Sequence, residues 1–248
     1  MESCITFKNL SIGYRPKHQL RVIASAVSAS LHPGELTCLI GANGVGKSTL
    51  LRTLCGFQPA MDGEILLQDQ PLSAYPAQQL ARQIGVVLTS RIDVPQLSVK
   101  EIVGIGRSPY TNFWGTLTPA DQQIVDEAIH QVGIPHLAQR NISELSDGER
   151  QKTMIAKALA QQTRIIILDE PTAFLDFPSK VETLQMLRRG IPPPPPRCRA
   201  GAAASRQPLA DGARSSQHRH TEIACHRWFP LEIHQSRRHP VQPGRNED

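Results

Sequence analysis

The stretch Gly41-Ala42-Asn43-Gly44-Val45-Gly46-Lys47-Ser48-Thr49 follows a short apolar run at 35–40 and fits the pattern G-x-x-x-x-G-K-[ST] at every fixed position. Glycines in such a loop let successive backbone N–H groups point inward at an anion, and the helix that starts near the lysine adds its positive end. The alternative is a glycine-rich turn that binds nothing. The full match directly after an apolar strand favours a loop that cradles nucleotide phosphates.

Three side chains of this loop predict specific contacts with a nucleoside triphosphate. Lys47 supplies a point charge for the β- and γ-phosphates, Ser48 supplies a hydroxyl for Mg²⁺, and Thr49 can bond an α-phosphate. The remaining loop residues that we expect to contact ATP are Gly41, Asn43, Gly44 and Gly46.

A second segment, which ends in two acidic residues, completes the predicted site. The aliphatic run at 165–168 ends in Asp169 and Glu170, followed by Pro171. We expect Asp169 to hold Mg²⁺ directly or through water, and Glu170 to orient and deprotonate the attacking water as a catalytic base. The alternative is a strand exit whose acids only face solvent. The aliphatic strand before them and the phosphate loop upstream favour the catalytic interpretation.

Composition and charge narrow the class of protein. The chain has 248 residues, 40% of them hydrophobic, which is enough for one good-sized domain with an inserted lobe. The formal net charge is +5, but nine arginines, no lysine and five acidic residues lie from Gly190 onward. The rest of the chain is close to neutral, so no basic face predicts a nucleic-acid partner.

Cysteine usage and hydropathy suggest a location. The five cysteines are scattered, with no C-x-x-C pair and no signal peptide, which indicates a reducing cytosolic compartment. No apolar run approaches the roughly 20 residues of a membrane helix. A protein of this kind that served a membrane would do so from the aqueous side.

The predicted elements describe a nucleotide-binding α/β sheet, an antiparallel strand set at the front, and an inserted helical lobe at about 89–161. Strands are predicted at 4–10, 22–31, 35–40, 63–67, 84–88 and 164–168. Helices are predicted at 47–55, 77–82, 98–106, 119–132, 147–161 and 177–189.

A third motif separates this chain from other phosphate-loop proteins. Leu145-Ser146-Asp147-Gly148-Glu149 resembles the signature of ABC-type ATPases, usually L-S-G-G-Q. An ordinary capping box, in which Ser146 pairs with Glu149, is the alternative, and both can hold together. Asp147 and Glu149 depart from the usual residues and should weaken the electrostatics near a phosphate, although acids here also suit the helix dipole.

The resemblance covers residues 5–189 and implies further roles. In that family an aromatic residue stacks on adenine, which here would be Tyr14, with a plain strand-end tyrosine as the alternative. Ser146 and Gly148 would act on the nucleotide of a partner, so the working unit would be a homodimer holding two ATP molecules. Asp176 would contact that partner through the family's D-loop.

The connection into the helical lobe bears on the transport class. After the strand at 84–88 the family normally has a glutamine that touches Mg²⁺ and the attacking water, and here that position is Thr89. The segment Gly106-Arg107-Ser108-Pro109-Tyr110 resembles ATPase subunits that power importers of ferric siderophores, haem and cobalamin. The resemblance implies permease subunits in the membrane, an indirectly coupled periplasmic or surface substrate-binding protein, and a cytoplasmic location on the inner face of the membrane.

After about Gly190 the sequence stops resembling the family. Five consecutive prolines at 192–196 cannot donate ladder hydrogen bonds, and we predict no strand beyond them, which would leave the sheet without a neighbour. The family has a strand here that ends in Ser/Thr-His-Asp. None of the later histidines follows an apolar strand, so none is assigned as the family's switch histidine; they are His218, His220, His226, His234 and His239.

Several interpretations of residues 190–248 stay open. They are a disordered tail, a proline-rich ligand for a partner domain, and a metal site of His218, His220, Cys225 and His226. We prefer a frameshifted translation of the normal C-terminal region, because lysine disappears while Arg, Pro and Ala rise. Reading the gene one base over should then recover a strand ending in S/T-H-D.

Two function classes follow from these observations. The first is an ATPase that drives a membrane importer. The second is an ATP-binding relic or regulatory module that lacks the switch histidine and hydrolyses slowly or not at all. A soluble ABC ATPase of translation or repair is more remote, because the chain has neither two cassettes nor a long coiled insertion.

Overall fold

The computed structural model describes residues 3–14, 21–88, 96–171, 180, 181, 183, 200–205 and 227–230, the last two segments by their backbone alone. The strands in this part are β1 (Ile5–Tyr14), β2 (Arg21–Leu31), β3 (Leu36–Ile40), β4 (Asp62–Leu67), β5 (Gln70–Pro71), β6 (Ile84–Val87), β7 (Ile165–Asp169), β8 (Ala200–Ser205) and β9 (Arg227–Pro230). The α-helices are α1 (Lys47–Leu54), α2 (Ala77–Ala81), α3 (Val99–Ile105), α4 (Pro119–Gln131) and α5 (Asp147–Ala160).

A five-stranded sheet organises the molecule, in the order β6-β7-β8-β3-β9. The pairs β6–β7, β7–β8, β3–β8 and β3–β9 are all parallel. The carboxyl ends of these strands therefore lie at one edge, which is where ligands bind in open α/β sheets. Both the phosphate loop after β3 and the acids that end β7 lie at this edge.

A separate antiparallel sheet, in the order β2-β1-β4-β5, forms the front set that the sequence predicts. β1 is longer than predicted and continues through Ile12 and Gly13 to Tyr14. Register shifts interrupt its pairing with β2, where Ile12 pairs with Ala24 but Gly13 pairs with Val22. Asn9, with φ 49°, marks another irregularity. Such bulges break a strict alternation, which is why the sequence pattern ends the strand too early.

The two sides of β6 and β7 face different cores. Ile165 and Ile167 pack with α1 and the front strands, whereas Val87 and Leu168 pack with the helical lobe. This is the two-residue alternation expected of a strand buried on both faces. The lobe of α3, α4 and α5 is thereby attached to the sheet through buried apolar side chains.

Capping boxes start all three lobe helices. Ser98 with Glu101 caps α3, Thr118 with Asp121 caps α4, and Ser146 with Glu149 caps α5. In each box the acid accepts from the cap backbone while the cap hydroxyl accepts from the acid's own N–H. The helix starts predicted at 98, 119 and 147 agree with these positions to within one residue.

The prediction of no strand after Gly190 is wrong for two segments. β8 lies between β7 and β3, with Ala203 opposite Cys38 and Leu168, and β9 pairs with the other side of β3. The sequence Ala200-Gly201-Ala202-Ala203-Ala204-Ser205 contains no β-branched residue and no polar–apolar alternation, so it gives no strand signal. The available edges of β3 and β7 supply backbone partners that composition does not reveal.

The helix predicted at 177–189 falls mostly outside the described residues, although Lys180, Val181 and Thr183 are helical. Within the part of the chain that the structure describes, no helix is both long enough and apolar enough to cross a bilayer.

Candidate functional site

The phosphate loop has the backbone shape that its glycines allow. Gly44 has φ 77° and Gly46 has φ 106°, both in the left-handed region that side chains disfavour. A Cβ on Gly46 would lie 2.3 Å from Cγ2 of Ile23, so the loop also approaches β2 too closely for any other residue. Gly46 is the N-cap of α1, and no side chain caps this helix start. The first backbone N–H groups of α1 are therefore available to an anion.

Lys47 is buried, with 5% of its surface exposed. Its ammonium group donates to the carbonyl oxygens of Gly41 at 2.7 Å and Ala42 at 2.9 Å. These bonds place the ammonium group of Lys47 against the backbone of its own loop. The contacts are to dipoles rather than to a full negative charge, which leaves the cation suited to an anionic ligand.

Ser48 and Asp169 meet although 121 residues separate them in sequence. The Ser48 hydroxyl donates to Oδ1 of Asp169 at 2.9 Å. A hydroxyl and a carboxylate oxygen at this spacing are the hard oxygen donors that Mg²⁺ prefers, with phosphate oxygens and water completing its shell. The donor set therefore fits the predicted metal. Among the described residues, no group of three or more His, Cys, Asp or Glu side chains could hold a metal ion.

Glu170 follows at the end of β7 in a strained backbone conformation. Its φ is 50°, in the left-handed region, which costs a non-glycine residue roughly 1–2 kcal/mol. One of its carboxylate oxygens, Oε2, is buried. Strain of this kind persists where the surrounding structure holds it, and it concentrates at active sites. The conformation coincides with the end of β7 at Asp169.

Tyr14 lies beside the phosphate loop. A Cβ on Gly46 would lie 3.8 Å from Cδ1 of Ile12, so Ile12 faces the loop. Tyr14, two residues further along β1, shares that face by strand alternation. Tyr14 is 44% exposed, which leaves surface for a base to stack on. Sequence reasoning missed its cross-strand partner Arg21, whose guanidinium carbon lies 5.9 Å from the ring centroid.

The signature segment forms the start of α5. Ser146 is exposed and its hydroxyl donates to Oε2 of Glu149 at 2.7 Å, while the Glu149 N–H donates back at 3.3 Å. These bonds, together with the donation of the Ser146 backbone N–H to Oε2 of Glu149 at 2.9 Å, form the capping box that was one of the two interpretations. Hydrogen bonds from Ser146 hold the pKa of Glu149 below its usual range, with smaller contributions from Arg140 and His136.

The segment from Gly106 to Tyr110 is an internal support of the lobe. Arg107 is 6% exposed and donates to Asp121 at 2.9 Å and to the carbonyl of Ala160 at 2.9 Å. Its guanidinium also lies 4.1 Å from the ring of Tyr110. One residue thus joins the end of α3, the start of α4 and the end of α5. Sequence reasoning assigned this segment to a transport class and missed its packing role.

Cys55 lies at the end of α1, close to the acid of the site. Burial, and to a smaller extent the negative charge of Asp169, raises the pKa of its thiol to about 12. The thiol therefore stays protonated at neutral pH. A nucleophilic role for Cys55 is unfavourable, because the thiolate is the reactive form.

Several predicted site residues fall outside the described residues. These are Thr89 and Asp176, and the alternative metal site of His218, His220, Cys225 and His226 lies outside the described residues as well. Their assigned roles stay predictions. Asn43, Thr49 and Gly148 are described and lie on the predicted segments, but no structural contact tests their roles.

The sequence profile of the ABC transporter family matches residues 24–173. The chain is 40% identical over 182 residues to an uncharacterised ABC transporter ATP-binding protein of Methanocaldococcus jannaschii, covering 73% of this chain and 61% of the relative. It is 35% identical over 187 residues to the achromobactin transport ATP-binding protein CbrD of Dickeya dadantii, covering 75% and 68%.

Solved structures agree with these sequence relatives. One is an inward-facing metal-chelate type ABC transporter, with TM-score 0.69 and 28% identity over 84% of this chain and 74% of that chain. A dimeric bacterial ABC transporter cassette has TM-score 0.70 over 82% of this chain and 88% of that chain, and at 21% identity it shows the fold alone.

A phosphate loop, an acid-ended strand beside it and an inserted helical lobe define an ATP-binding cassette. The chain belongs to the ABC transporter ATP-binding family. The matching part spans about three fifths to two thirds of the length of these curated relatives.

Proposed function

We propose that this chain binds and hydrolyses ATP to power a membrane importer, with an iron–siderophore, haem or cobalamin complex as cargo. The observation that carries the proposal is the 2.9 Å hydrogen bond between Ser48 and Asp169. It joins the phosphate loop to the acid-ended strand, the two halves that ATP chemistry requires. The strained Glu170 beside them is the proposed catalytic base.

Each residue has a separate task in the proposed reaction. The backbone N–H groups of the loop and the Lys47 ammonium bind the phosphates, and Thr49 supports them. Ser48 and Asp169 would hold Mg²⁺, which supplies charge neutralisation for the phosphates when bound. Glu170 orients a water molecule and accepts its proton as the oxygen attacks the terminal phosphorus and the bond from that phosphorus to the bridging oxygen of the departing ADP breaks. Thr89, in place of the family's glutamine, would assist that water through a bridging water.

Pairing of two copies would complete the site. Ser146 is exposed at the tip of α5, and Gly148 lies on the first turn of the same helix. Each tip would reach the nucleotide held by the other copy, with Asp176 contributing to the contact, so that two ATP molecules lie between the subunits. The dimeric form of a cassette with the same fold supports this arrangement.

The membrane partner and cargo are inferred from two features. Phe113 and Trp114, on the uncharged turn between α3 and α4, are 94% and 83% exposed and suit an apolar contact with a permease subunit. The names of relatives such as CbrD, an achromobactin transport protein, support iron–siderophore cargo. The chain would then act peripherally on the cytoplasmic face, coupled only indirectly to a substrate-binding protein.

ATP binding and phosphate release by the full chain, with three variants, test the proposal. Lys47→Ala should abolish ATP binding. Glu170→Gln should retain ATP binding and lose about 10²–10⁴-fold in turnover, since it removes only the base. Glu144→Gln is the matched control, an exposed acid near Ser146, and should behave as wild type. Wild-type turnover in Glu170→Gln would contradict the assigned base.

A second function is favoured by the residues that follow β8. This strand ends at Ser205, opposite Ile40 and therefore at the edge that bears the phosphate loop. The family carries its switch histidine just beyond such a strand, but here the next histidine in sequence is His218. The alternative is thus an ATP-binding protein with weak or absent hydrolysis.

The missing histidine supports the proposal that residues 190–248 are translated out of frame, so that the sequence pattern of the family domain ends near Arg189 although the backbones of β8 and β9 pair with β3. Resequencing the gene, the intact mass of the endogenous protein, and the ATPase activity of a frame-restored chain test it. An in-frame gene whose product has the mass of this sequence would contradict the frameshift. Restored turnover only in the corrected chain would favour the relic.

A further inference from the structure

The front sheet presents an aromatic ring and a guanidinium together beside the phosphate loop. Tyr14 and Arg21 are direct cross-strand partners at the end of the β1–β2 pair, so their side chains leave the same face. The Arg21 guanidinium carbon lies 5.9 Å from the Tyr14 ring centroid, within the range of a cation–π contact. Both side chains are exposed.

The strands hold this pair at a fixed place relative to the phosphate loop. Gly13, between Ile12 and Tyr14, approaches β2 so closely that a Cβ would lie 2.1 Å from the carbonyl oxygen of Arg21. Ile12 and Ile23 in turn contact the position of Gly46. The backbone that carries Arg21 is therefore packed against the backbone that carries Tyr14, and both are packed against the loop.

A second tyrosine shows what a purely structural pair looks like here. The ring of Tyr110 has two guanidiniums near it, with Arg82 at 5.2 Å and the buried Arg107 at 4.1 Å from the ring centroid, and Arg107 is a support of the helical lobe. Tyr14 has one guanidinium on its ring and lies next to a phosphate-binding loop. An exposed pair adds little to stability, so its position beside the loop points to a ligand.

We propose that Arg21 is a positioning residue for the nucleotide base: it holds the Tyr14 ring in the orientation that stacks on a purine. The inference rests on the proposed function, because it concerns the base of the ATP whose phosphates the loop binds. Arg21 acts through Tyr14 and not on the phosphates. Its flat fork can pack on a ring, which the point charge of a lysine cannot do equally well.

A double-mutant cycle on the full chain tests this inference, with ATP affinity measured by calorimetry in Mg²⁺ buffer. Tyr14→Ala should weaken ATP binding about tenfold, as expected for a lost stacking contact. Arg21→Ala should weaken it about two- to fivefold. The double variant should bind no more weakly than Tyr14→Ala alone, and Arg21→Lys should resemble Arg21→Ala. Affinity for inorganic tripolyphosphate should be unchanged by Arg21→Ala.

The controls separate this inference from the proposed function. Arg82→Ala removes an exposed arginine from Tyr110, outside the site, and should leave ATP affinity unchanged. Lys47→Ala should abolish ATP binding; if it does not, the proposed function fails. With that control satisfied, three results would overturn the role of Arg21. They are an unchanged ATP affinity in Arg21→Ala, additive losses in the cycle, or full rescue by Arg21→Lys.

Discussion

Two buried cations, Lys47 in the phosphate loop and Arg107 in the helical lobe, are satisfied in different ways. Lys47 donates to two backbone carbonyls of its own loop, at 2.7 and 2.9 Å. Arg107 forms an ion pair with Asp121 at 2.9 Å and adds a carbonyl, a side-chain amide and an aromatic ring. A buried cation that is neutralised by a carboxylate has a structural role. A cation held by dipoles alone keeps its charge for a ligand.

The largest effect is expected on the stability of the lobe. Arg107→Ala leaves Oδ1 of Asp121 and the Ala160 carbonyl without the guanidinium that donates to them, in a buried site where three helices meet. Loss of one member of a buried ion pair should lower the free energy of unfolding by about 3–5 kcal/mol. Denaturant unfolding measures it. A loss below 1 kcal/mol would show that the pair is not a structural centre.

Lys47→Ala should have the opposite effect to Arg107→Ala, with a small loss of stability and a large loss of ATP binding. Stability should change little, because the lost partners are two carbonyls of a loop that can rehydrate. ATP binding should fall below detection, a loss of at least about 100-fold, as when one member of a buried charge pair is removed. Calorimetry and denaturant unfolding of the same preparation check both halves. Equal effects of the two variants on stability would end the distinction between structural and functional cation.

Motifs that act through neighbours in sequence could be predicted. The phosphate loop and the acids that end β7 need only a few adjacent residues, and the lobe helices start at Ser98, Thr118 and Ser146, whose capping acids lie three positions on. The acids and the loop form one site because the parallel sheet brings Ser48 to Asp169. The phosphate-loop motif already implies such a sheet.

Contacts between distant residues could not be predicted in the same way. The partners of Arg107 lie 14 and 53 residues away, and no local pattern marks them. Arg21 faces Tyr14 only because β2 carries an extra residue near Ile23, which no alternation in the sequence reveals. β8 was missed because its alanines carry no strand preference, and its pairing depends on the edges of β3 and β7.

High pH should lower the free energy of unfolding through Cys55, which lies at the end of α1 next to the phosphate-loop site. Burial and nearby Asp169 raise the pKa of the Cys55 thiol from 9.0 to about 12. The folded chain thus keeps a proton that the unfolded chain loses above pH 9, so stability falls as pH rises. The loss from this group should reach about 1.4 kcal/mol near pH 10. Cys55→Ala should flatten the dependence between pH 8.5 and 10.5, compared with wild type. Parallel curves would contradict the assignment.

Low pH should weaken the lobe side by a smaller amount. A hydrogen bond from Thr118, followed by contacts with Arg107, holds the pKa of Asp121 below its usual value of 3.8. The carboxylate therefore contributes stability that is present above that pH and is lost as pH falls through the folded pKa. Asp121→Asn should be less stable than wild type at pH 7, and the gap should narrow below about pH 4. Unfolding midpoints at pH 7, 5 and 3 measure the gap, with Asp126→Asn on the same helix as the control, whose carboxylate pairs with exposed Lys100. A stability difference between wild type and Asp121→Asn that is constant over this range would mean that Arg107 is held by its carbonyl and ring contacts. The contrast with Lys47 would then depend on the number of partners and not on their charge.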